Sequence, residues 1–178
     1  MSIHELASLW ELCFGDSRET ALEFFSVPDV VTLTEEYNGV TVAMASLVPV
    51  STSLGQNGVY VYGVCVHPEH RGKGLFRKLM ERCEKAAADD RADFLCLIPA
   101  DVGVLRAYQK MGYTTVVNTA SFIQTDCIQI FSTSSDFNEF AKPECEMQSD
   151  IKYGLLKPIN NFDVQNKKYH FLYHMGEC

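Results

Sequence analysis

The sequence has no apolar run near the roughly 18 residues that a membrane-spanning helix requires. Its first residues, MSIHELASLWELC, place His4 and Glu5 where a secretory leader carries positive charge ahead of an apolar stretch. Both absences point to a cytoplasmic protein with no membrane role. Positive charge is scarce as well: 15 Lys+Arg against 23 Asp+Glu leave a net charge of −8. A general nucleic-acid-binding surface needs a basic excess, so that class is disfavoured. The seven cysteines are an odd count and form no CxxC pair. Cys65 and Cys96 lie in apolar runs and Cys83 on an apolar helix face, so they read as reduced core thiols. No internal repeat or low-complexity segment is present. What is present is 47% hydrophobic residues over 178 positions, enough for one domain with a filled core.

Hydrophobic spacing gives the element order. Leu6, Leu9, Trp10, Cys13 and Phe14 share one face of a short helix that Gly15 ends. Asp16, with Glu19 three residues on, is expected to cap a second helix carrying Leu22, Phe24 and Phe25. VVTLTEEY and VTVAMASLVPV flank Asn38-Gly39, a type I′ turn pair, and Asn57-Gly58 repeats the signal ahead of VYVYGVCV. Three antiparallel strands are therefore expected. Leu75, Leu79, Cys83 and Ala86 then recur at helical spacing. FLCLIPA follows as a short buried strand, Asp101 caps a helix from Val102 to Met111, Gly112 closes it, and YTTVV returns as a strand. The predicted class is α/β with a mixed sheet, hairpins first and a parallel strand-helix-strand unit after them. Beyond Asn118, FIQTDCIQI, IKYGLLKPI and KKYHFLYHM read as strands and STSSDFNEFAKP as holding a short helix. This C-terminal extension, 118–178, is expected to pack on the sheet of the 1–117 core within a single domain.

One stretch does not fit a simple corner. HPEHRGKGLF places Arg71, Gly72, Lys73 and Gly74 between an apolar strand and an amphipathic helix. The first N–H groups of a helix have no internal partner and lie at its positive end. Two glycines let the backbone approach a ligand closely, and the basic residues add charge. On an acidic chain this points to one small anionic ligand held at one place. A Walker loop would need Ser or Thr after Lys73, where Gly74 stands, and the dinucleotide GxGxxG pattern is missing.

VCVHPEHRGKGLFRKLM, FLCLIPAD and LRAYQKMGY, in that order, resemble the GNAT superfamily of acetyl-CoA-dependent N-acetyltransferases, bacterial type with a C-terminal extension. The likeness runs from about Val59 to Tyr113. Arg71, Gly74 and Phe76 occupy the positions of the family's phosphate loop. The resemblance implies acetyl-CoA as cosubstrate, without a metal. Backbone groups of Val64, Cys65 and Val66 would hold the pantetheine arm in a gap between splayed strands. The amides of Arg71, Gly72, Lys73, Gly74, Leu75, Phe76 and Arg77 would cradle the pyrophosphate, and Tyr108 would protonate the departing thiolate. A small-molecule or peptide amine would attack directly, so no catalytic cysteine is needed.

Three positions depart from the pattern. Phe76 replaces a small loop residue, which is compatible with phosphate binding if its ring turns into the core. Asp101 replaces an asparagine common at the start of the Tyr-bearing helix. Tyr60 stands where some members carry a glutamate, which leaves Glu35, Glu36, Asp101 or a water chain to deprotonate the amine. Other readings stand beside these. Tyr108 is also placed to be a core aromatic. His170 and His174 with Cys178 lack a complete metal ligand set. The Tyr169, Phe171, Tyr173 stripe fits a core or a homodimer seam. The two functional classes are a working N-acyltransferase and a degenerate domain that binds CoA or a partner protein without turnover.

Overall fold

The computed structural model describes residues 2–119, 127–141, 153–160 and 162–171. Helix α1, Ile3–Phe14, starts at Ser2, whose hydroxyl accepts from the backbone while Glu5 reaches back in a capping box, and it ends at Gly15 in the left-handed region. Helix α2, Arg18–Phe25, is capped by Ser17, whose hydroxyl accepts the Thr20 N–H. The expected Asp16 cap is thus corrected: its carboxylate instead accepts the Trp10 indole N–H at 2.7 Å.

Strands β1, Val31–Tyr37, and β2, Val40–Thr52, pair antiparallel across Asn38-Gly39, both at positive φ. The second Asn-Gly pair is not a turn. The chain turns at 53–56, with the Gly55 N–H donating to the Thr52 carbonyl, and β3 runs from Asn57 to Val66. Gly58 is a glycine because the Phe94 ring lies over it: an added Cβ would stand 2.4 Å from Phe94 Cζ. Helix α3, Leu75–Asp89, then leads to β4, Phe94–Leu97, which pairs parallel with β3. Helix α4, Val102–Lys110, is capped by the Asp101 carboxylate, which accepts the Val104 N–H at 2.8 Å, and leads to β5, Thr115–Asn118.

The C-terminal segments belong to the same sheet. Strands β6, Ile128–Ser132, β7, Tyr153–Pro158, and β8, Tyr169–Phe171, with the short helix α5, Ser135–Phe140, give the strand order β1-β2-β3-β4-β7-β5-β8-β6. Strand β7 lies antiparallel between β4 and β5. Strand β6 returns to β2 at Val50–Thr52, so the sheet closes on itself and leaves β1 outside the ring. One edge of β2 therefore serves β1 along 40–47 and β6 along 50–52. Pro49 stands at the changeover, where the missing N–H costs no ladder bond. Its carbonyl accepts the Thr133 N–H at 3.1 Å. Tyr173, His174 and Cys178 lie outside the described residues.

Strand alternation divides the core in two. Trp10, Phe24, Met44, Tyr60, Phe94, Phe137 and Tyr169 form a cluster within the ring and beneath α1, α2 and α5. Ala43, Val61, Leu79, Leu95 and Tyr108 pack on the opposite face under α3 and α4. Among the described residues no helix is long and apolar enough to cross a membrane.

Candidate active site

Strand β3 is regular until Tyr62. Ser46 pairs with Tyr62 but Met44 with Cys65, so β3 holds one extra residue. The bulge is built on Gly63, at φ 60°, with the Trp10 ring so close that an added Cβ would lie 2.6 Å from it. No other residue offers both the left-handed backbone and the empty space. On the other edge, β4 pairs with β3 only from Gly58 to Tyr60. Among the described residues, Val61 to Val66 have no strand beside them on that edge. The two strands part there, and the gap opens toward the glycine loop.

The loop then folds back on itself. His67 to Arg71 form a single tight turn around Pro68–His70, and Gly72 and Gly74 both take positive φ, at 75° and 78°. Gly74 is the N-cap of α3 and supplies no side-chain bond. Among the described α-helices the other four are capped by Ser2, Ser17, Asp101 and Ser134. The N–H groups of Leu75, Phe76 and Arg77 thus have no side-chain partner, and no acidic residue occupies the first turn. The flanking cations are docked near them. Arg71 Nε donates to the Val66 carbonyl at 3.1 Å, and Lys73 lies over the Tyr37 ring.

Val64, Val66, Leu75, Phe76 and Tyr108 come together in the cluster under α3 and α4. Cys65 points its thiol to the opposite face, so only its backbone faces the gap region. The Phe76 ring does turn inward and meets Tyr108 at 5.2 Å between centroids. Tyr108 is 3% exposed, and burial, aided by Cys83, raises its pKa above the ordinary tyrosine value. Its phenol stays neutral across the physiological range.

Sequence reasoning missed a groove. A cleft of about 320 Å³ between the start of α3 and α4 is lined by Phe76, Arg77, Gly103, Arg106, Ala107, Lys110 and Met111. Arg106 and Lys110 stand four apart on α4, so they share a face, and that spacing was the available signal. Three cations in one cleft of an acidic protein mark a place for negative charge.

The carboxylates sort themselves by position. Glu35 sits on β1, two strands from β3, and is 5% exposed. Lys78 and Arg82 of α3 occupy its two oxygens, Arg82 at 2.6 Å. Burial alone would push its pKa up, but the bonds from Lys78 and Arg82 outweigh it and hold the carboxyl below its usual range. It is committed to α3 through both of these pairs. Glu36 is exposed on the same edge strand. Only Asp101 follows β4 at the end where the gap opens. Tyr60 is buried against Phe171 and Phe137.

The Glu35 pairing has a testable pH signature. Its unfolded pKa is about 4.3 and its folded value is lower, so it stabilises the fold above the unfolded value and stops doing so as pH falls through the folded one. Thermal melts from neutral to about pH 3 are expected to show wild type losing stability on acidification more steeply than Glu35→Gln. The variant should start less stable and the two should converge in acid. Parallel curves would show that Glu35 is not held by its ion pairs.

A family model described as an acetyltransferase (GNAT) domain matches residues 2–116. The chain belongs to the GNAT acetyltransferases. Solved GNAT structures share the fold at low identity. A ribosomal-protein-alanine N-acetyltransferase from Brucella melitensis biovar Abortus 2308 is 19% identical over 68% of this chain and 91% of its own, with a TM-score of 0.59. The ribosomal-protein-S18-alanine N-acetyltransferase from Escherichia coli is 12% identical over 92% and 91%, TM-score 0.56. A probable N-acyltransferase from Enterococcus faecalis V583 is 17% identical over 66% of this chain, which spans 30% of that protein, with a TM-score of 0.53. No curated protein is significantly similar in sequence. The general chemistry of this family is acetyl-group transfer.

Proposed function

We propose that this GNAT domain moves the acetyl group of acetyl-CoA to a primary amine by direct attack. The observation that carries the reading is the unpaired edge of β3 beyond Tyr60, opening beside the uncapped N-terminus of α3. The pantetheine arm takes the place of the missing strand and bonds to the backbone of Val64, Cys65 and Val66. One of those N–H groups donates to the thioester oxygen and stabilises the oxyanion as the amine adds. The pyrophosphate rests across Gly72 and Gly74 on the amides of Leu75 to Arg77. Arg77, Arg106 and Lys110 take the remaining phosphate of the nucleotide.

The neutral amine nitrogen attacks the carbonyl carbon, and the C–S bond breaks as the intermediate collapses. Tyr108 donates a hydrogen bond to the departing sulfur. Its raised pKa makes full proton loss costly, so the proton that ends on the thiolate derives from the attacking amine rather than from a lasting tyrosinate. The acceptor is a small-molecule or peptide amine, and the −8 net charge favours a cationic one.

A second reading, CoA binding without turnover, is favoured by the buried Tyr60 and the ion-paired Glu35. Thiol release from acetyl-CoA across a panel of amines separates the two. Release with at least one amine supports transfer, and binding without release selects the second reading. The phosphate assignment has its own check. The double variant Arg106→Ala, Lys110→Ala is expected to bind CoA about tenfold more weakly, roughly 1.4 kcal/mol, while binding of 3′-dephospho-CoA stays unchanged. Equal losses for both ligands would move the 3′-phosphate away from this cleft.

A further inference from the structure

Two cysteines pack in one cluster just behind the gap. Cys13 lies in the last turn of α1 and Cys65 follows the Gly63 bulge of β3. Cys13 Sγ lies 3.8 Å from the carbonyl of Val66, the residue after Cys65, and Cys13 packs against the buried cluster that holds the Cys65 side chain. That same carbonyl receives Arg71 Nε at 3.1 Å, which brings a guanidinium beside the pair. Cys65 is buried, whereas Cys13 is partly open to solvent. Both are free thiols. Neither thiol has a place in acetyl transfer, which forms no acyl-enzyme.

We propose that Cys13 and Cys65 form an oxidation site: a dithiol that a hydroperoxide closes to a disulfide within the folded protein. The chemistry distributes itself between the sulfurs. The hydrogen bond from Cys65 and the Arg71 charge, working against partial burial, bring the Cys13 pKa down to about 7. The Cys65 value is raised by the same hydrogen bond and by burial. Cys13 is therefore the nucleophile and Cys65 the resolving partner. The Cys13 thiolate attacks one peroxide oxygen, the O–O bond breaks, and the leaving hydroxide or alkoxide takes a proton. Cys65 sulfur then attacks the Cys13 sulfenic acid, the S–O bond breaks, and the hydroxyl departs as water with the Cys65 proton. Two thiols are oxidised and one hydroperoxide is reduced. The other buried thiols in the described residues are poor competitors: burial pushes Cys83 up to about 12 and raises Cys96 as well.

Closure reaches the gap. An S–S bond of about 2.05 Å is shorter than any hydrogen-bond contact. Forming it draws the end of α1 onto Cys65 and disturbs the Val66 carbonyl that both Cys13 and Arg71 address. The consequence for CoA rests on the binding reading above, but the cross-link itself does not.

The test treats the whole protein with a few equivalents of hydrogen peroxide near neutral pH, quenches, blocks remaining thiols under denaturing conditions and maps peptides by mass. The expected product is a Cys13–Cys65 cross-linked peptide, lighter by two hydrogen atoms and split by thiol reductant, formed while Cys83 and Cys96 stay reduced. Cys13→Ser should abolish it. Cys65→Ser should stop at a Cys13 sulfenic acid that dimedone captures. Recovery of Cys65 as a free thiol in treated wild type, with Cys13 intact or carried on to the sulfinic acid, would overturn the proposal. CoA titration of the same sample reads the coupling: affinity at least tenfold lower when cross-linked, restored by reduction. An unchanged affinity with the cross-link in place would overturn the coupling. If the reduced protein binds no CoA, the binding reading fails, and the mass map still decides the oxidation site.

Discussion

Replacing Tyr108 with phenylalanine is expected to slow acetyl transfer roughly 10²-fold while leaving CoA affinity nearly unchanged. The ring is packed between Phe76 and Tyr113, at 5.2 and 5.7 Å, and phenylalanine can keep both contacts. Only the hydroxyl is lost. In the proposed reaction that hydroxyl matters when negative charge reaches the sulfur, so its removal falls on the chemical step. Steady-state rates limited by product release would mask the effect, which makes single-turnover acetylation the appropriate measurement. Equal single-turnover rates would make Tyr108 a core aromatic and no more.

Gly74→Val is expected to weaken CoA binding by about tenfold to a hundredfold in calorimetry. Two costs combine. Gly74 holds φ 78° as the N-cap of α3, and a β-branched residue in the left-handed region loses about 1–2 kcal/mol. The chain relaxes either by straining or by turning the first amides of α3 away from the site. Nothing of the protein lies within 4 Å of a Cβ built there. The space is open to a ligand, and a side chain would stand where phosphate oxygens approach. Circular dichroism separates a local effect from unfolding. A variant that keeps its helix content and binds CoA as wild type does would remove the loop from the proposed site.

Much of the core was legible from the chain because its cues are local. Leu6, Leu9 and Trp10 face one way because helical spacing forces them to. The Asn38-Gly39 turn follows from the positive φ of both residues. The loop from Arg71 to Gly74 announces itself because backbone freedom and charge are written in adjacent letters. Local cues also mislead when a residue is chosen for a distant neighbour. Asn57-Gly58 carries the letters of a turn, yet Gly58 answers to the Phe94 ring from the next strand. Asp16 has the letters of a cap, but Trp10 claims its carboxylate and Ser17 takes the cap.

By itself the sequence determined the helices, the first hairpin, the mixed α/β class and a glycine-rich basic loop between a strand and a helix, because each depends on residues within a few positions of one another. The tertiary structure alone decided what depends on distant partners. It inserted β7 between β4 and β5 and closed the sheet through β6 onto β2, since strand edges accept any segment of suitable pattern and sequence order does not choose among them. It committed both oxygens of Glu35 to Lys78 and Arg82. It brought Arg77 beside Arg106 and Lys110 across two helices, and it set the Cys13 thiol from α1 against Cys65 in β3. Side-chain pKa values and ligand grooves arise from such juxtapositions. A linear spacing cannot encode them until the backbone has folded.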